Sequence, residues 1–331
     1  MNVGIIGSGL ITQAALDIFS RLENVQCTAM YFRSVDQTSA ALIQKKYKIN
    51  TIYDNIDDFL SDTSFNVVYI GVINSAHYGF AKKALLANKQ VISEKAFTST
   101  YKEAADLAKT AEDHQRLLLG ANRLTYTENF KEIQRRMPQL GDIKLVMCNY
   151  SQYSRRYNEY LKRHVLPVFD PTLSGGSLYD INVYNVYFVV ALFGEPQSVH
   201  YYPNKGFNGI DTSGILVLTY KGFQAVCSAA KDSESSPFMT VQGTKGHIDV
   251  ESIPSQVENV SLTQIGQPTQ TINLNHYDDA MENEFIQIFK IINEKNDTLA
   301  AANLNVTLNV MKVLETARQD AGIRFTADDQ D

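Results

Sequence analysis

Asn2-Val3-Gly4-Ile5-Ile6-Gly7-Ser8-Gly9-Leu10-Ile11-Thr12 opens the chain with a short apolar run, a glycine pair and the start of a helical pattern. An unbroken apolar run this short reads as a strand buried on both faces. Gly7 permits the tight turn that must follow it. Gly9 lets a pyrophosphate approach backbone N–H groups at the start of the helix predicted over 10–21, where the dipole favours negative charge. The stretch therefore predicts a dinucleotide-binding βαβ unit, with Gly7, Gly9, Leu10 and Ile11 beside the phosphates. Thr12 stands where the fingerprint has its third glycine. A bare Gly-x-Gly is a weak signal, strengthened here by the strand before it and the helix after it. The competing reading is a tight turn in another α/β protein, such as an S-adenosylmethionine-dependent methyltransferase.

The same alternation continues downstream. Strands are predicted at 25–32, 65–72, 90–93 and 116–120, and helices at 39–47, 77–87 and 100–113. Strands separated by helices predict a parallel, doubly wound sheet. Past residue 122 the pattern changes. After a helix at 125–137, strands are predicted at 143–152, 214–220, 223–229, 238–243, 247–251, 260–265 and 270–274. Lys221-Gly222 and Thr244-Lys245-Gly246 mark hairpin turns. Strands in succession predict a mostly antiparallel sheet. Three helices accompany it: 178–193, one carrying Met281, Phe285, Ile288 and Ile292, and one carrying Val306, Val310, Val313 and Ala317. The expected fold is α/β followed by α+β, with a Rossmann domain over 1–122 and a second domain over 123–331.

Composition agrees with this and excludes other classes. The 331 residues suffice for two domains, and 44% hydrophobic with 20% charged residues argues against disorder. Thirty basic against 36 acidic side chains, a net charge of −6 and no basic run longer than a pair argue against nucleic acid. Cys27, Cys148 and Cys227 are far apart and form no metal-ligand spacing, so a reducing compartment and no metal site are expected. The first residues lack a basic signal-peptide region, and the apolar run at 186–194 is too short to span a bilayer. A cytoplasmic protein without a membrane partner is expected.

The second strand should end in a carboxylate if it is to hold the ribose 2′-hydroxyl of NAD. Phe32 and its neighbours provide none; Arg33-Ser34 follow instead. A guanidinium beside a hydroxyl suits a 2′-phosphate and can cover adenine, so NADP is preferred over NAD. The plain alternative is a solvated Arg33, with Phe32 packing near the adenine.

Further motifs lie along the chain: Asn74-Ser75-Ala76-His77-Tyr78, the stretch from Ala84-Leu85 to Val91-Ile92-Ser93-Glu94-Lys95, Gly175-Gly176-Ser177-Leu178-Tyr179-Asp180, the hairpin Gly243-Thr244-Lys245-Gly246 and Ala321-Gly322-Ile323. With them the chain resembles the Gfo/Idh/MocA oxidoreductases over nearly its whole length. The resemblance implies a Rossmann domain followed by an open-faced antiparallel sheet. It implies an NAD(P)-dependent dehydrogenase or reductase of a sugar, polyol or related carbonyl compound, assembled as a homodimer or homotetramer through that sheet. Three positions depart from the family pattern. Ala96 replaces the proline after Lys95, where members often hold a cis bond. Without proline a cis bond costs about 2.5–4 kcal/mol, so the isomer and the placement of Lys95 stay open. Tyr184 stands where many members carry histidine, although some branches also use tyrosine. Asn182 stands where glycine is common.

Hydride transfer to a carbonyl leaves one proton to be handled by a positioned acid or base. Lys95 and Tyr184 are the candidates, both with ordinary pKa values near 10. Lys95 is expected to hydrogen-bond the reacting oxygen and Tyr184 to move the proton. Asp180 would orient Lys95 or hold a neighbouring substrate hydroxyl. Asp180 and Tyr184 are four apart on one predicted helix; the alternative is that Tyr184 is a core aromatic like its neighbours. Asn74, His77, Glu94, Lys95 and Asn122, with Arg123, are expected on the cofactor side; the alternative for His77 is a cap of the helix that begins there. Tyr150, Tyr153, Arg155, Arg156, Tyr157 and Lys162 form an aromatic and basic stretch. Tyr153 and Lys162 are its expected substrate contacts, and a solvated loop or subunit contact is the alternative. A second class of function stays open: a dinucleotide-binding regulator that kept the fold and lost the chemistry, as the missing proline would suit.

Overall fold

The computed structural model describes residues 1–32, 37–277 and 279–329. The elements are β1 (Asn2–Ile6), α1 (Leu10–Phe19), β2 (Gln26–Tyr31), α2 (Gln37–Tyr47), β3 (Thr51–Tyr53), α3 (Ile56–Ser61), β4 (Val67–Ile70), α4 (Asn74–Leu86), β5 (Gln90–Glu94), α5 (Tyr101–Asp113) and β6 (Leu118–Ala121). Then come α6 (Glu128–Arg136), β7 (Ile143–Ser151), α7 (Tyr157–Leu161), α8 (Val183–Phe193), β8 (Ser198–Lys205), β9 (Asp211–Tyr220) and β10 (Phe223–Ala230). The chain ends with β11 (Phe238–Gly243), β12 (Gly246–Val250), β13 (Val260–Gln264), β14 (Gln270–Ile272), α9 (Ala280–Glu294) and α10 (Asp297–Asp320). They divide into two compact units. The first holds Met1–Thr98, Lys102–Ala121 and Phe285–Leu304; the second holds Ser99–Tyr101, Asn122–Glu284 and the residues from Asn305 onward.

The first unit is built on a six-stranded parallel sheet in the order β3-β2-β1-β4-β5-β6. Val3, Ile5, Val67, Val68, Tyr69, Ile70, Val91 and Ile92 are all buried, as strands covered on both faces require. Strand order reverses between β1 and β4, and ligands of such sheets bind beyond the strand ends at that switch point. Phe19 of α1 packs edge-on against Tyr69, Phe285 and Phe289, at centroid distances of 5.9, 4.7 and 5.3 Å. A segment far along the chain thus completes this core.

The second unit carries an eight-stranded sheet, β14-β13-β12-β11-β7-β10-β9-β8, antiparallel except for the β7–β10 pair. Alternation separates its faces. Cys148, Leu216, Leu218, Ala225, Cys227, Met239, Val241 and Ile248 are buried, while Met147, Ile215 and Tyr202 are 37%, 48% and 65% exposed. Helix α8 packs against β7 and β10. Asn182 fastens it there: its Nδ2 donates to Cys227 O at 3.2 Å, and the Nδ2 of Asn185 donates to Ser228 O at 3.0 Å and to Asn182 Oδ1 at 2.8 Å. The departure at residue 182 therefore serves packing.

Local differences from the predicted elements have local causes. The helix predicted over 178–193 is a π turn at Leu178–Asn182 followed by α8. The one predicted over 125–137 is a 3-10 turn at Leu124–Tyr126, then α6, because Thr127 caps the new helix by accepting from Phe130 N–H at 3.3 Å. Helix α4 begins at Asn74, three residues before the predicted start. No helix among the described residues is long and apolar enough to cross a membrane, and none of their His, Cys, Asp and Glu side chains group to hold a metal ion.

Candidate active site

Most of the cofactor-side candidates belong to the first unit. Gly7 has φ +123°, and its N–H donates to Tyr31 O at 3.0 Å. A Cβ there would strike the Gly71 carbonyl and lie 2.9 Å from Thr12 Oγ1, so the turn requires glycine. Thr12 replaces the third glycine with a bond of its own, Oγ1 to Gly71 O at 2.8 Å, which ties α1 to the end of β4. Gly9 is the N-cap of α1; no acidic residue lies in the first turn, and a Cβ on Gly9 would meet nothing within 4 Å. Open space over a helix N-terminus fits a diphosphate. Leu10 is exposed and Ile11 half-buried.

Phe32 follows β2 and is buried. Arg33 and Ser34, which carry the NADP preference, lie outside the described residues. Asn74 starts α4 and is half-buried. His77 is fully buried. Its Nδ1 lies 2.8 Å from Ala96 O and its Nε2 3.1 Å from Val72 O. Burial pushes its pKa below the usual histidine range, outweighing the two carbonyls. It does not cap α4, whose N-cap is Ile73; it links the segments that follow β4 and β5. Glu94 is buried as well. Its Oε1 accepts from Tyr69 OH at 2.9 Å and its Oε2 from the Lys95 amide at 3.3 Å. The Lys95–Ala96 peptide is cis.

The remaining candidates belong to the second unit. Asn122 and Arg123 are part of it: Asn122 Oδ1 accepts from Thr125 N and Oγ1, each at 3.0 Å, and the Arg123 N–H donates to Glu284 Oε1 at 2.5 Å. The π turn presents Asp180, whose Oδ2 is paired with the ammonium of Lys231. A π turn inside a helix is frequent at functional sites. Tyr184, on the following turn, is buried beside Tyr150 of β7, with ring centroids 6.1 Å apart. Its neighbours are core aromatics: Tyr179 OH donates to Ser99 O at 3.1 Å and Tyr187 OH to Thr307 Oγ1 at 3.2 Å. Tyr153 is 37% exposed and donates to Asn158 Oδ1 at 2.7 Å. Lys162 follows α7, exposed, and pairs with Glu159 at 2.8 Å.

Two supporting residues escaped the sequence reading, Lys231 and Asp211. Asp211 is buried, and its Oδ2 accepts from Leu178 N–H at 2.6 Å and from Tyr201 OH at 2.8 Å. Gly176, at φ +101°, lets that carboxylate approach, because a Cβ there would strike its Oδ1. Burial pushes the Asp211 carboxyl up to about 6, against the pull of those two donors. A folded-state pKa above the unfolded 3.8 means the native state binds more protons between the two values, so wild-type stability falls as pH rises through that window. Asp211→Asn keeps an oxygen for both donors and removes the charge. It is expected to gain stability over wild type as pH rises from 4 to 6, by at most about 3 kcal/mol. Urea midpoints of both proteins across that range check this; a gap that does not change with pH rejects it.

Residues 1–121 match the model of an oxidoreductase family with an NAD-binding Rossmann fold, and residues 136–249 match the GFO/IDH/MocA C-terminal domain. The chain is 31% identical over 328 residues to scyllo-inositol 2-dehydrogenase (NADP(+)) IolU of Bacillus subtilis strain 168, covering 99% of both chains. It is 26% identical to trans-1,2-dihydrobenzene-1,2-diol dehydrogenase of Xenopus tropicalis, over 75% of this chain and 74% of that one. The 3-ketoreductase KijD10 of Actinomadura kijaniata, solved with TDP-benzene and NADP, shares the fold at TM-score 0.80 and 16% identity over 98% of each chain. A levoglucosan dehydrogenase solved with NADH and levoglucosan does so at 0.79 and 16% over 97% of each. The glycine turn at Gly7 and Gly9, the β5 end at Lys95 and the Asp180–Tyr184 turn thus sit in a chain that belongs to the Gfo/Idh/MocA family of NAD(P)-dependent oxidoreductases.

Proposed function

We propose that the chain oxidises a secondary alcohol of a sugar or polyol, or reduces the matching ketone, with NADP as the preferred cofactor. The observation that carries this reading is the full-length match to a dehydrogenase of an inositol that takes NADP(+). When bound, the nicotinamide donates or takes up the hydride. Lys95 hydrogen-bonds the reacting oxygen and stabilises its negative charge; Tyr184 moves the proton; Asp180 accepts from a substrate hydroxyl. Gly7, Gly9, Leu10, Ile11, Phe32, Arg33, Ser34, Asn74 and Asn122 serve the cofactor. Glu94 and His77 hold the Lys95 segment. Tyr153 suits a sugar face. Lys162, the other expected substrate contact of that stretch, is paired with Glu159 at 2.8 Å.

We also assign the exposed sheet face around Met147, Ile215 and Tyr202 to contact between copies of the chain, as a dimer or tetramer. The free cysteines, all buried, suit the reducing cytoplasm.

Fluorescence titration tests the cofactor assignment directly, since the chain has no tryptophan to overlap the nucleotide signal. NADPH is expected to bind at least about tenfold tighter than NADH, and Arg33→Ala to bring the two within about threefold. Tighter NADH binding overturns the assignment. A screen of inositols, aldoses and their ketones with the tighter cofactor then tests the substrate class. Tight nucleotide binding without turnover would favour a dinucleotide-binding regulator.

A further inference from the structure

Lys231 follows β10 directly, and the backbone holds it from both sides. Its N–H donates to Thr212 O at 2.8 Å, and its carbonyl accepts from Ser154 N–H at 2.9 Å. Its side chain is 7% exposed, and the ammonium pairs with Asp180 Oδ2. A lysine this buried needs a compensating anion. The adjacent carboxylate of Asp232 is taken by the hydroxyls of Thr212 and Ser213, at 2.7 and 2.9 Å. The carboxylate of Asp180 is held just as firmly from its own side. The Asp180 N–H donates to Gly176 O at 3.0 Å, and Asp211 fixes the turn through Leu178. One charge is anchored by the sheet and the other by the π turn, across 51 residues of chain.

We propose that Lys231 is the positioning residue of Asp180, keeping its carboxylate ionised and fixed so that it acts as a hydrogen-bond acceptor toward substrate and never as the proton donor. This rests on the hydride-transfer reading above and narrows it. An aspartate whose negative charge is matched by an ammonium has little tendency to take up a proton near neutrality. The proton of the reaction then passes through Tyr184, with Lys95 on the reacting oxygen. Asp180 instead selects for a substrate hydroxyl beside the reacting carbon, which a diol or polyol has and a simple alcohol lacks.

The test is a double-mutant cycle in the full-length protein: Lys231→Met, Asp180→Asn and the pair, with Lys231→Arg as the conservative variant. Lys231→Met is expected to lose about 100-fold in kcat/KM for the polyol while NADPH affinity stays within about twofold. Lys231→Arg should recover to within about tenfold of wild type, and Lys231→Met should change kcat/KM by less than about threefold once residue 180 is asparagine. A loss that adds in full to that of Asp180→Asn overturns the proposal, as does a Lys231→Met enzyme within about threefold of wild type. Urea midpoints of wild type and the same four variants need no turnover. If no polyol is turned over by wild type, the hydride-transfer reading fails, and additive midpoints still reject the pairing while non-additive ones uphold it. Should Lys231→Met not fold, Lys231→Gln takes its place in the cycle and is read by the same criterion.

Discussion

Lys95→Ala is expected to lower kcat/KM by about 10²–10⁴-fold and to leave NADPH affinity within about threefold. The magnitude is that of one positioned acid–base or charge-stabilising group, about 3–5 kcal/mol of barrier. The split between turnover and binding follows from what holds the segment. The Lys95 amide is held by Glu94 Oε2 at 3.3 Å, and the next carbonyl, Ala96 O, lies 2.8 Å from His77 Nδ1. Neither contact uses the lysine side chain, so alanine removes the ammonium and keeps both. The glycine turn proposed for the diphosphate follows β1, two strand ends away in the sheet order β1-β4-β5. Steady-state kinetics with NADPH titrations separate the two effects. Turnover equal to wild type would remove Lys95 from the reaction. A matching loss of nucleotide affinity would make it a cofactor ligand.

What could be read from the sequence was whatever local periodicity encodes. The run at residues 2–6 and the turn at Gly7 and Gly9 predict β1, α1 and a dinucleotide-binding turn, because buried parallel strands and glycine turns leave short-range marks. β3 has only three residues and carries no pattern of its own. β8 contains Pro203 and alternates weakly, as edge strands do. The π turn stayed hidden because one extra residue in a helical turn leaves the apolar run of 178–193 unchanged. Partners distant in sequence left no trace. Lys231 and Asp180 are 51 residues apart, and Asp211 meets a backbone N–H rather than a motif. Thr12 looked like a defect in the fingerprint; its hydroxyl bond to Gly71 could be seen only once β4 was placed beside β1.

Arg318→Met is expected to destabilise the second unit by about 3–5 kcal/mol. Arg318 is 1% exposed, yet its guanidinium serves the whole C-terminal segment. It donates to Ile323 O at 2.9 Å, grips Asp328 in a two-pronged pair at 2.5 and 2.6 Å, and lies 4.3 Å from the Phe325 ring centroid. Phe325 in turn meets Tyr179 edge-on at 4.9 Å. Methionine fills much of the volume, so the loss is that of an uncompensated carboxylate rather than of a cavity. In wild type, burial pushes the Asp328 carboxyl up, but Arg318 and the Phe325 N–H more than offset this and leave it below its usual 3.8. A depressed folded value stabilises above the unfolded pKa and is lost as pH falls below it. Without the guanidinium, burial raises the carboxyl instead, and protonation relieves it. The gap between Arg318→Met and wild type should therefore narrow as pH falls toward about 4. Replacing Asp328 with leucine in the same chain should recover part of the loss, because the stranded charge goes with it. Urea midpoints of the two single variants and the pair, at neutral and mildly acid pH, measure this. A gap that stays constant with pH, or a double variant as unstable as the sum of its parts, would mean that Arg318 acts by filling space. Tyr179 precedes Asp180 on the π turn, so the same variant is expected to lower turnover while leaving the glycine turn of the first unit, and NADPH affinity with it, unchanged.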